Sequence, residues 1–323
     1  MRKILIILLG FLLVTRLAHA AEVRLGLEVE FRTFYLSRQQ PNYSFQFREA
    51  KLFFDTFISE KASALLEIEF RKIDRISQLE RGYFLWRQLP LNSQLKFGQF
   101  RIPFGLWDAY TIDRSLIKNS FIGQDENFQQ FKLRKLDVGV EVQSSYKNFS
   151  AAVAVINGNT VNTALDDNNQ KDFVARLGYS RALFSMHVNT YFGTAERIKD
   201  VTAPDIPRHR HITAVGLDFT ANTGDITFSG EIVDIKYEDL HAFGAYLQFS
   251  YDLLEIVYGL RLVGKIEFWD PDKNVAENDL VQAIIGFKHT LARGMTIQLE
   301  YRYHTHQIEQ RNNGLMLEVE LEL

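Results

Sequence analysis

The sequence contains no cysteine, which excludes disulfide bridges and thiolate metal sites. It also lacks an excess of positive charge: 37 Lys and Arg stand against 40 Asp and Glu, which argues against a nucleic-acid partner. After residue 20 there is no apolar run near the roughly 20 residues that a membrane-spanning helix needs. Disulfides are therefore excluded, and after residue 20 neither a basic nucleic-acid-binding surface nor a membrane-spanning helix is expected.

The first twenty residues have the features of a cleaved secretory signal. Arg2 and Lys3 are positively charged, residues 4–14 are apolar, and Ala18-His19-Ala20 forms an A-x-A cleavage site. The alternative, a membrane anchor, is disfavoured because the apolar run is about half the length of a spanning helix. We expect cleavage after Ala20, with residues 21–323 forming one domain. Cleavage removes three of the 37 basic residues and no acidic one, so the formal charge falls from −3 to −6.

Apolar and polar residues alternate along most of the remaining chain. Near its end, for example, Leu317, Val319 and Leu321 are separated by Glu318 and Glu320. A period of two is that of a β-strand with one apolar and one polar face, whereas a helix would scatter these charges around every face. Sixteen segments show this period, at 22–36, 43–58, 62–71, 78–89, 93–101, 135–146, 148–157, 172–180, 183–193, 210–221, 225–237, 240–252, 255–269, 279–290, 294–305 and 313–323.

The lengths of these segments separate two kinds of β-protein. Strands of soluble sandwiches usually have about 5–6 residues, whereas a tilted strand needs about 9–11 to cross a bilayer, and most of the segments reach that length. Connections after even-numbered segments are short, and most of those after odd-numbered segments are long, as in bacterial outer-membrane barrels. We therefore predict an all-β fold, a transmembrane antiparallel β-barrel of about 16 strands in the outer membrane of a Gram-negative bacterium.

Aromatic residues support the same prediction. They make up 13% of the chain, and rings at strand ends can form girdles at the two lipid–water boundaries. The residues expected in these girdles are Phe34, Tyr35, Tyr43, Tyr179, Phe184, Tyr251, Trp269, Tyr301 and Tyr303.

Two segments depart from regular alternation. In the second strand, Phe45 and Phe47 are out of phase with Leu52 and Phe54, and a β-bulge near Arg48–Ala50 would bring them to one face. The connection 102–134 is much longer than the others, and long loops in compact folds are usually functional. Pro103 and Gly105 would end the fifth strand and permit a sharp change of direction. This connection either folds into the barrel, which we predict, or lies outside the rim.

Residues 94–105 read QLKFGQFRIPFG, which resembles the GQF-x-x-PFG signature of the phosphate-selective porin O and P family. Weaker similarity covers Phe47–Leu52, Asp113–Leu116, Ile156–Asn159 and Asp172–Leu177. The resemblance implies a sixteen-stranded porin that assembles as a homotrimer, with its long third loop folded into the lumen. It also implies a channel for passive diffusion of small solutes and ions, with phosphate among the candidate anions.

This chain departs from the family in the residues that are expected to select the solute. The resemblance implies paired arginines on the second strand, whereas this sequence has Arg48-Glu49. A carboxylate beside the filter would raise an electrostatic barrier to phosphate, and the polar faces of the strands carry more acidic than basic residues. We therefore expect weak or no phosphate preference and a mild preference for cations. The residues predicted at the constriction are Arg48, Lys51, Asp113, Arg114 and Lys118.

No catalytic or cofactor-binding motif accompanies this pattern. The sequence has no G-x-S-x-G element, no H-E-x-x-H helix and no phosphate-binding glycine loop. His209 with His211, and His304 with His306, provide only two imidazoles each, short of a complete metal site. We expect no enzyme activity, cofactor or metal, and contacts only with small solutes, outer-membrane lipid and other copies of the chain. A structural barrel or adhesin without an open pore is one alternative, and an outer-membrane lipid hydrolase is another.

Overall fold

The computed structural model describes residues 22–36, 43–71, 76–108, 136–158, 170–195, 210–237, 240–253, 257–276, 279–304 and 313–322. These residues form sixteen strands, a 3-10 turn at Pro90–Asn92 and one short helix, α1, at Gly105–Asp108. The strands are β1 Glu22–Leu36, β2 Tyr43–Ser59, β3 Ala62–Arg71, β4 Ile76–Leu89, β5 Ser93–Arg101, β6 Leu136–Tyr146, β7 Phe149–Ile156, β8 Asp172–Arg181, β9 Phe184–Ala195, β10 Arg210–Thr223, β11 Ile226–Tyr237, β12 Leu240–Asp252, β13 Leu260–Asp270, β14 Leu280–Ala292, β15 Met295–His304 and β16 Gly314–Glu322.

The sixteen strands close into a single antiparallel barrel. Each strand pairs with its neighbours in sequence, and β1 pairs with β16 from Glu28 opposite Glu322 to Leu36 opposite Gly314. Closure leaves no sheet edge, so the backbone amides and carbonyls of the wall find partners without water. The predicted fold class and strand number are confirmed.

The outer face of the barrel is apolar. On β6, Val138, Val140 and Val142 are exposed on the outside, while Asp137 and Glu141 between them are buried on the inside. Such a surface would be unstable in water but matches a hydrocarbon layer, so the barrel is a membrane protein of the outer-membrane type, as expected. No helix in the described part of the chain is long and apolar enough to cross a membrane.

Two β-bulges change which residues face the lumen. The register of β1 with β2 moves from Glu30 opposite Glu49 to Phe31 opposite Phe47, which makes Arg48 the extra residue. The bulge predicted near Arg48–Ala50 is therefore confirmed. A second bulge, between β3 and β4, pairs Arg81 with Glu67 and Leu79 with Ile68, and it leaves Glu80 as the extra residue. The sequence did not indicate this second bulge.

Two sequence predictions are wrong in detail. The strand expected from residue 255 begins only at Leu260, because Leu253 N–H donates to the Leu260 carbonyl and Gly259, with φ of +77°, closes a wider turn. Trp269 does not belong to an aromatic girdle, because its ring is buried inside the barrel. It faces the lumen with Lys265 and Glu267, two positions apart along β13.

An apolar core lies inside the barrel, against one half of its wall. The residues that follow β5, Ile102 and Phe104, are buried together with lumenal side chains of the wall from β7 to β14. The wall residues of this cluster are Ala154, Ile156, Val174, Tyr191, Ile212, Ala214, Val233, Ile235, Ala242, Tyr246, Trp269 and Leu280. Residues 102–106 thus enter the lumen and pack against this half of the wall, and α1 contacts β10 and β11. Residues 109–134, the remainder of the predicted inward loop, lie outside the described residues.

Candidate pore lining

The lumenal face of the wall carries many more buried carboxylates than buried cations. Among the described residues, the buried cations are Arg176 and Lys265. The fourteen buried carboxylates are Glu28, Glu30, Glu49, Glu67, Glu69, Glu80, Asp137, Glu141, Asp172, Asp218, Glu231, Glu267, Glu300 and Glu318. Half-buried cations, among them Arg32, Lys51, Arg81 and Lys96, pair with some of these carboxylates, but in the described part of the wall the carboxylates remain the more numerous group.

The predicted constriction residue Lys51 lies in an acidic cluster on β1 and β2. Its ammonium Nζ is 2.9 Å from Glu28 Oε1 and 2.9 Å from Glu49 Oε1. Glu28, Glu30 and Glu49 each place a carboxylate oxygen within 4.8 Å of the other two. Lys51 therefore offers no isolated positive charge to a passing anion, because two carboxylates already share it.

Of the other four predicted constriction residues, the structure describes only the backbone of Arg48. Arg48 is the bulge residue of β2, and its side chain lies outside the described part of the structure. Asp113, Arg114 and Lys118 also lie outside the described residues. The grouping of these residues at one depth therefore stays a prediction.

Neighbouring wall charges are paired in the same way. Arg32 Nη2 lies 2.8 Å from Glu318 Oε2 across the seam between β1 and β16, and 3.4 Å from Glu30 Oε1. On the other side of the cluster, Arg81 contacts Glu67, and Lys96 Nζ lies 2.9 Å from Glu141 Oε1. Arg32–Glu318, Arg81–Glu67 and Lys96–Glu141 are cross-strand neighbours, so these pairs link adjacent strands of the wall as well as setting its potential.

Two lumenal carboxylates, Asp137 and Asp172, are hydrogen-bond acceptors beside Gly158. Asp137 Oδ2 accepts a 2.8 Å bond from the Gly158 N–H, and Gly158 has a φ of +80°. Asp172 accepts bonds from the Tyr191 hydroxyl and, at 2.9 Å, from the Thr194 N–H. A side chain on Gly158 would collide with Asp172, whose Cγ would lie 2.6 Å from its Cβ. The two carboxylates thus give a physical reason for glycine at position 158.

The start of the inward segment is fixed by a buried polar network, which we call the anchor and define as Arg176, His187, Asn189 and Asp218. Arg176 Nη1 donates to the Gly105 carbonyl at 2.6 Å and to Asn189 Oδ1 at 3.0 Å, and Arg176 Nη2 donates to Asp218 Oδ1 at 2.9 Å. Asn189 Nδ2 donates to Asp218 Oδ2 at 2.8 Å, and His187 Nδ1 lies 2.8 Å from Asp218 Oδ1. Lumenal positions of three adjacent strands, β8 to β10, thus hold one backbone carbonyl of the segment.

Gly105 allows the segment to approach the wall this closely. Its φ of +73° is in the region that favours glycine, and a Cβ there would collide with the carboxylate of Glu231 on β11. Phe104, directly before it, is fully buried and lies over Gly216 of β10. These contacts give a physical reason for the Pro-Phe-Gly part of the motif, and the predicted turn at Pro103 and Gly105 is confirmed.

The Gly-Gln-Phe part of the motif packs β5 against the bulge in β4 and forms hydrogen bonds to it. Gly98 has a φ of +125°, and a Cβ there would collide with the Gly82 carbonyl oxygen. Gln99 Nε2 donates to the carbonyls of Leu79 at 2.6 Å and Glu80 at 3.1 Å, which are the carbonyls at the bulge. Phe100 turns inward to the apolar core. The motif therefore joins a wall bulge to the inward segment.

We expect the replacement Gly98→Ala to destabilise the barrel by about 1–3 kcal/mol more than Gly224→Ala does. Both glycines have positive φ, +125° at Gly98 and +68° at Gly224, but a Cβ at Gly224 meets nothing within 4 Å, so the control lacks the collision and has the milder backbone strain. Equilibrium urea unfolding of both variants in lipid vesicles measures the difference. Equal stability of the two variants would contradict the proposed fit of Gly98 against β4.

Several lumenal charges were missed by the sequence reasoning. Glu80 and Arg81 were hidden by the bulge, which reverses the facing of β4 at that point. Lys265 and Glu267 form a buried pair, with Lys265 Nζ 3.1 Å from Glu267 Oε2 and 4.6 Å from the centre of the Tyr246 ring. The sequence signal for this pair was the alternation around Ile266. Because Ile266 is exposed on the outer face, Lys265 and Glu267 on either side of it face the lumen.

The barrel resembles known outer-membrane structures over nearly its whole length. The Salmonella typhi OmpF complex with daunomycin superposes with a TM-score of 0.70 at 10% identity, covering 95% of this chain and 99% of that chain. The outer membrane channel DcaP of Acinetobacter baumannii gives 0.68 at 14% identity, covering 94% and 98%. A loop L8 deletion mutant of OmpT, an outer membrane protein of Vibrio cholerae, gives 0.68 at 11% identity, covering 94% and 100%.

This is the fold of the outer-membrane porins. No family model matches the chain, and no curated protein sequence matches it. The resemblance to the phosphate-selective porin O and P family is thus supported at the level of the porin fold, while the particular family stays an inference from the motifs. The outer-membrane location agrees with the neighbours and with the apolar exterior of the barrel.

Proposed function

We propose that this protein is an outer-membrane porin, a water-filled channel for passive diffusion of small solutes and ions. The observation that carries the proposal is a closed sixteen-stranded barrel whose inner wall is charged while its outer wall is apolar. Sixteen strands enclose more space than wall side chains fill, whereas barrels of about eight strands can be filled by them. Ionised groups inside such a wall are stable only if they are paired or in contact with water.

The channel has weak or no preference for phosphate and a mild preference for cations. Phosphate recognition needs several guanidinium or ammonium groups converging on one anion with few carboxylates beside them. Lys51 is instead shared by Glu28 and Glu49, and Glu49 takes the place of the second arginine that the family resemblance implies. Arg48, Asp113, Arg114 and Lys118 complete the proposed constriction with Lys51, and a homotrimer is the assembly that the resemblance implies.

Entry of uncharged solutes into proteoliposomes tests the channel directly. Folded protein should admit small sugars at rates that fall steeply with solute size, and heat-denatured protein should admit none. A structural barrel without an open pore would fold correctly in the vesicles and admit no solute. An outer-membrane hydrolase would release fatty acids from the vesicle lipid, which we do not expect, since the sequence has no nucleophile motif.

We expect the protein isolated from outer membranes to begin at Ala21. The charged start, the apolar stretch and the Ala18-His19-Ala20 site together direct export and cleavage. Intact-mass measurement of the purified protein determines the first residue. A mass that includes residues 1–20, or recovery of the protein from the cytoplasm, would contradict the export step.

A further inference from the structure

A cavity of about 210 Å³ lies beside the anchor, between the inward segment and the short turns that join β6 to β7, β8 to β9 and β10 to β11. Its wall comes from β6 to β10, near the short turns, and Gly105 and Leu106 of the inward segment cover it. At about 30 Å³ for each water molecule, it holds roughly seven waters. The volume suits a small solute and is too small for a drug-sized ligand.

Hydroxyl groups face this cavity from three strands. Ser150 on β7, Ser185 on β9 and Thr220 on β10 line it, each from a lumenal position of its strand. In the described part of the chain these three hydroxyls have no hydrogen-bond partner in the protein. Each can donate one bond and accept two, so together they can bind a ligand that carries several hydroxyls.

Because Gly178 of β8 has no side chain, it leaves room for two polar groups that line the cavity, those of His187 and Ser150. A Cβ at Gly178 would collide with the imidazole of His187 and with the hydroxyl of Ser150. The ring of His187 therefore lies over the glycine, with Nδ1 on Asp218. Leu106 and Ala152 add an apolar side to the cavity. This combination of hydroxyls, an imidazole and an apolar side suits a molecule with both hydroxyl and C–H faces.

The charge of the cavity differs from that of the rest of the lumen. Among the described residues that line it, the permanently charged one is Arg176, which is paired with Asp218 at 2.9 Å while its other amino group binds Asn189 and the Gly105 carbonyl. The pair is neutral as a unit and both members are buried, so the cavity does not select by charge. A neutral ligand is favoured here, because an ion entering it would lose water without gaining an opposite charge.

We propose that this cavity is a binding site for a small neutral polyol, placed just below the inward segment. The inference rests on the proposed channel function, because a solute reaches the cavity through the lumen. Binding would make passage of polyols saturable, whereas passage of ions would remain a simple diffusion. A four-carbon polyol such as erythritol matches the cavity in size and in its number of hydroxyls.

Uptake of labelled erythritol into proteoliposomes, with unlabelled erythritol as competitor, tests the site. In the wild type, we expect the competitor to slow the uptake at saturating concentration. In the double variant Ser185→Ala/Thr220→Val, the half-inhibiting concentration should rise about twentyfold, since each lost hydrogen bond contributes a factor of roughly five. Ser250→Ala, which removes a hydroxyl from the lumenal face of β12 away from the cavity, should behave as the wild type.

A variant that fills the cavity tests the site independently of the hydroxyl variants. Ala152→Leu places extra carbon atoms in the cavity and should abolish the competition, and discrete KCl conductance steps then show that this variant still forms a channel. Uptake without competition in a wild type that conducts KCl would overturn the site and leave the channel intact. Competition unchanged in both variants would also overturn it. A protein that neither conducts KCl nor admits erythritol would refute the channel itself, and the site with it.

Discussion

Replacing Arg176 by Met should destabilise the barrel by about 3–5 kcal/mol and release the start of the inward segment. The change removes the hydrogen bond to the Gly105 carbonyl and leaves Asp218, which is fully buried, without its cation. His187 and Asn189 remain as partners of Asp218, but neither carries the permanent charge of a guanidinium. We therefore expect lower stability in urea and, in planar bilayers, a larger and noisier single-channel current.

A second substitution separates these two effects. In Arg176→Met/Asp218→Leu the uncompensated charge is gone, so stability should return towards that of the wild type. The Gly105 carbonyl still lacks its donor, so the current should remain altered. Arg181→Met, at an exposed position at the end of the same strand, is the matched control and should change neither property. A wild-type current in the double variant would show that the anchor does not position the segment.

The replacement Glu49→Arg should turn the channel towards anions. Glu49 is buried on the lumenal face beside Lys51, and the substitution changes the local charge by two units. At about 1 kcal/mol for each charge at 4 Å in water, and after screening by salt, the cation-to-anion permeability ratio should fall roughly threefold at 0.1 M salt. The new arginine would face Glu30 directly across β1 and β2, so the fold can accept it.

The control is a charge reversal at the turn that follows β2. Glu60→Arg lies at the exposed turn between β2 and β3, and it should leave the permeability ratio near the wild-type value. Any weak block of the chloride current by phosphate should become stronger in Glu49→Arg and stay the same in Glu60→Arg. If both variants shift the ratio equally, the charge at Glu49 does not act at a narrow part of the pore.

Strand number and closure could be predicted because the bilayer imposes a simple rule on the sequence. Each strand that crosses hydrocarbon must present an apolar residue at every second position, as Val138, Val140 and Val142 do on β6. Even the bulge at Arg48 was visible, because it shifts the phase of the apolar residues on either side of it. Length and alternation together thus specify which segments form the wall.

The lumen was less predictable, because its residues do not face a uniform solvent. Trp269 is on the inner face of β13, where the inward segment supplies the apolar partners that an aqueous pore would lack. Asp137 and Asp172 have the alternation of lumenal charges, but Asp137 accepts a hydrogen bond from the Gly158 N–H, and Asp172 accepts bonds from Tyr191 and Thr194 of β9. These roles depend on pairs such as Asp137 and Gly158, which are distant in sequence and meet only when the barrel closes.

The central claim is that the barrel is an open channel with an acidic lumen, and the reversal potential in a KCl gradient tests it most directly. Single channels of the folded wild-type protein in a planar bilayer should give discrete conductance steps. The reversal potential should have the sign of a mild cation preference, and millimolar phosphate should leave the chloride current unblocked. A folded protein without conductance steps, or one whose chloride current micromolar phosphate blocks, would contradict this account.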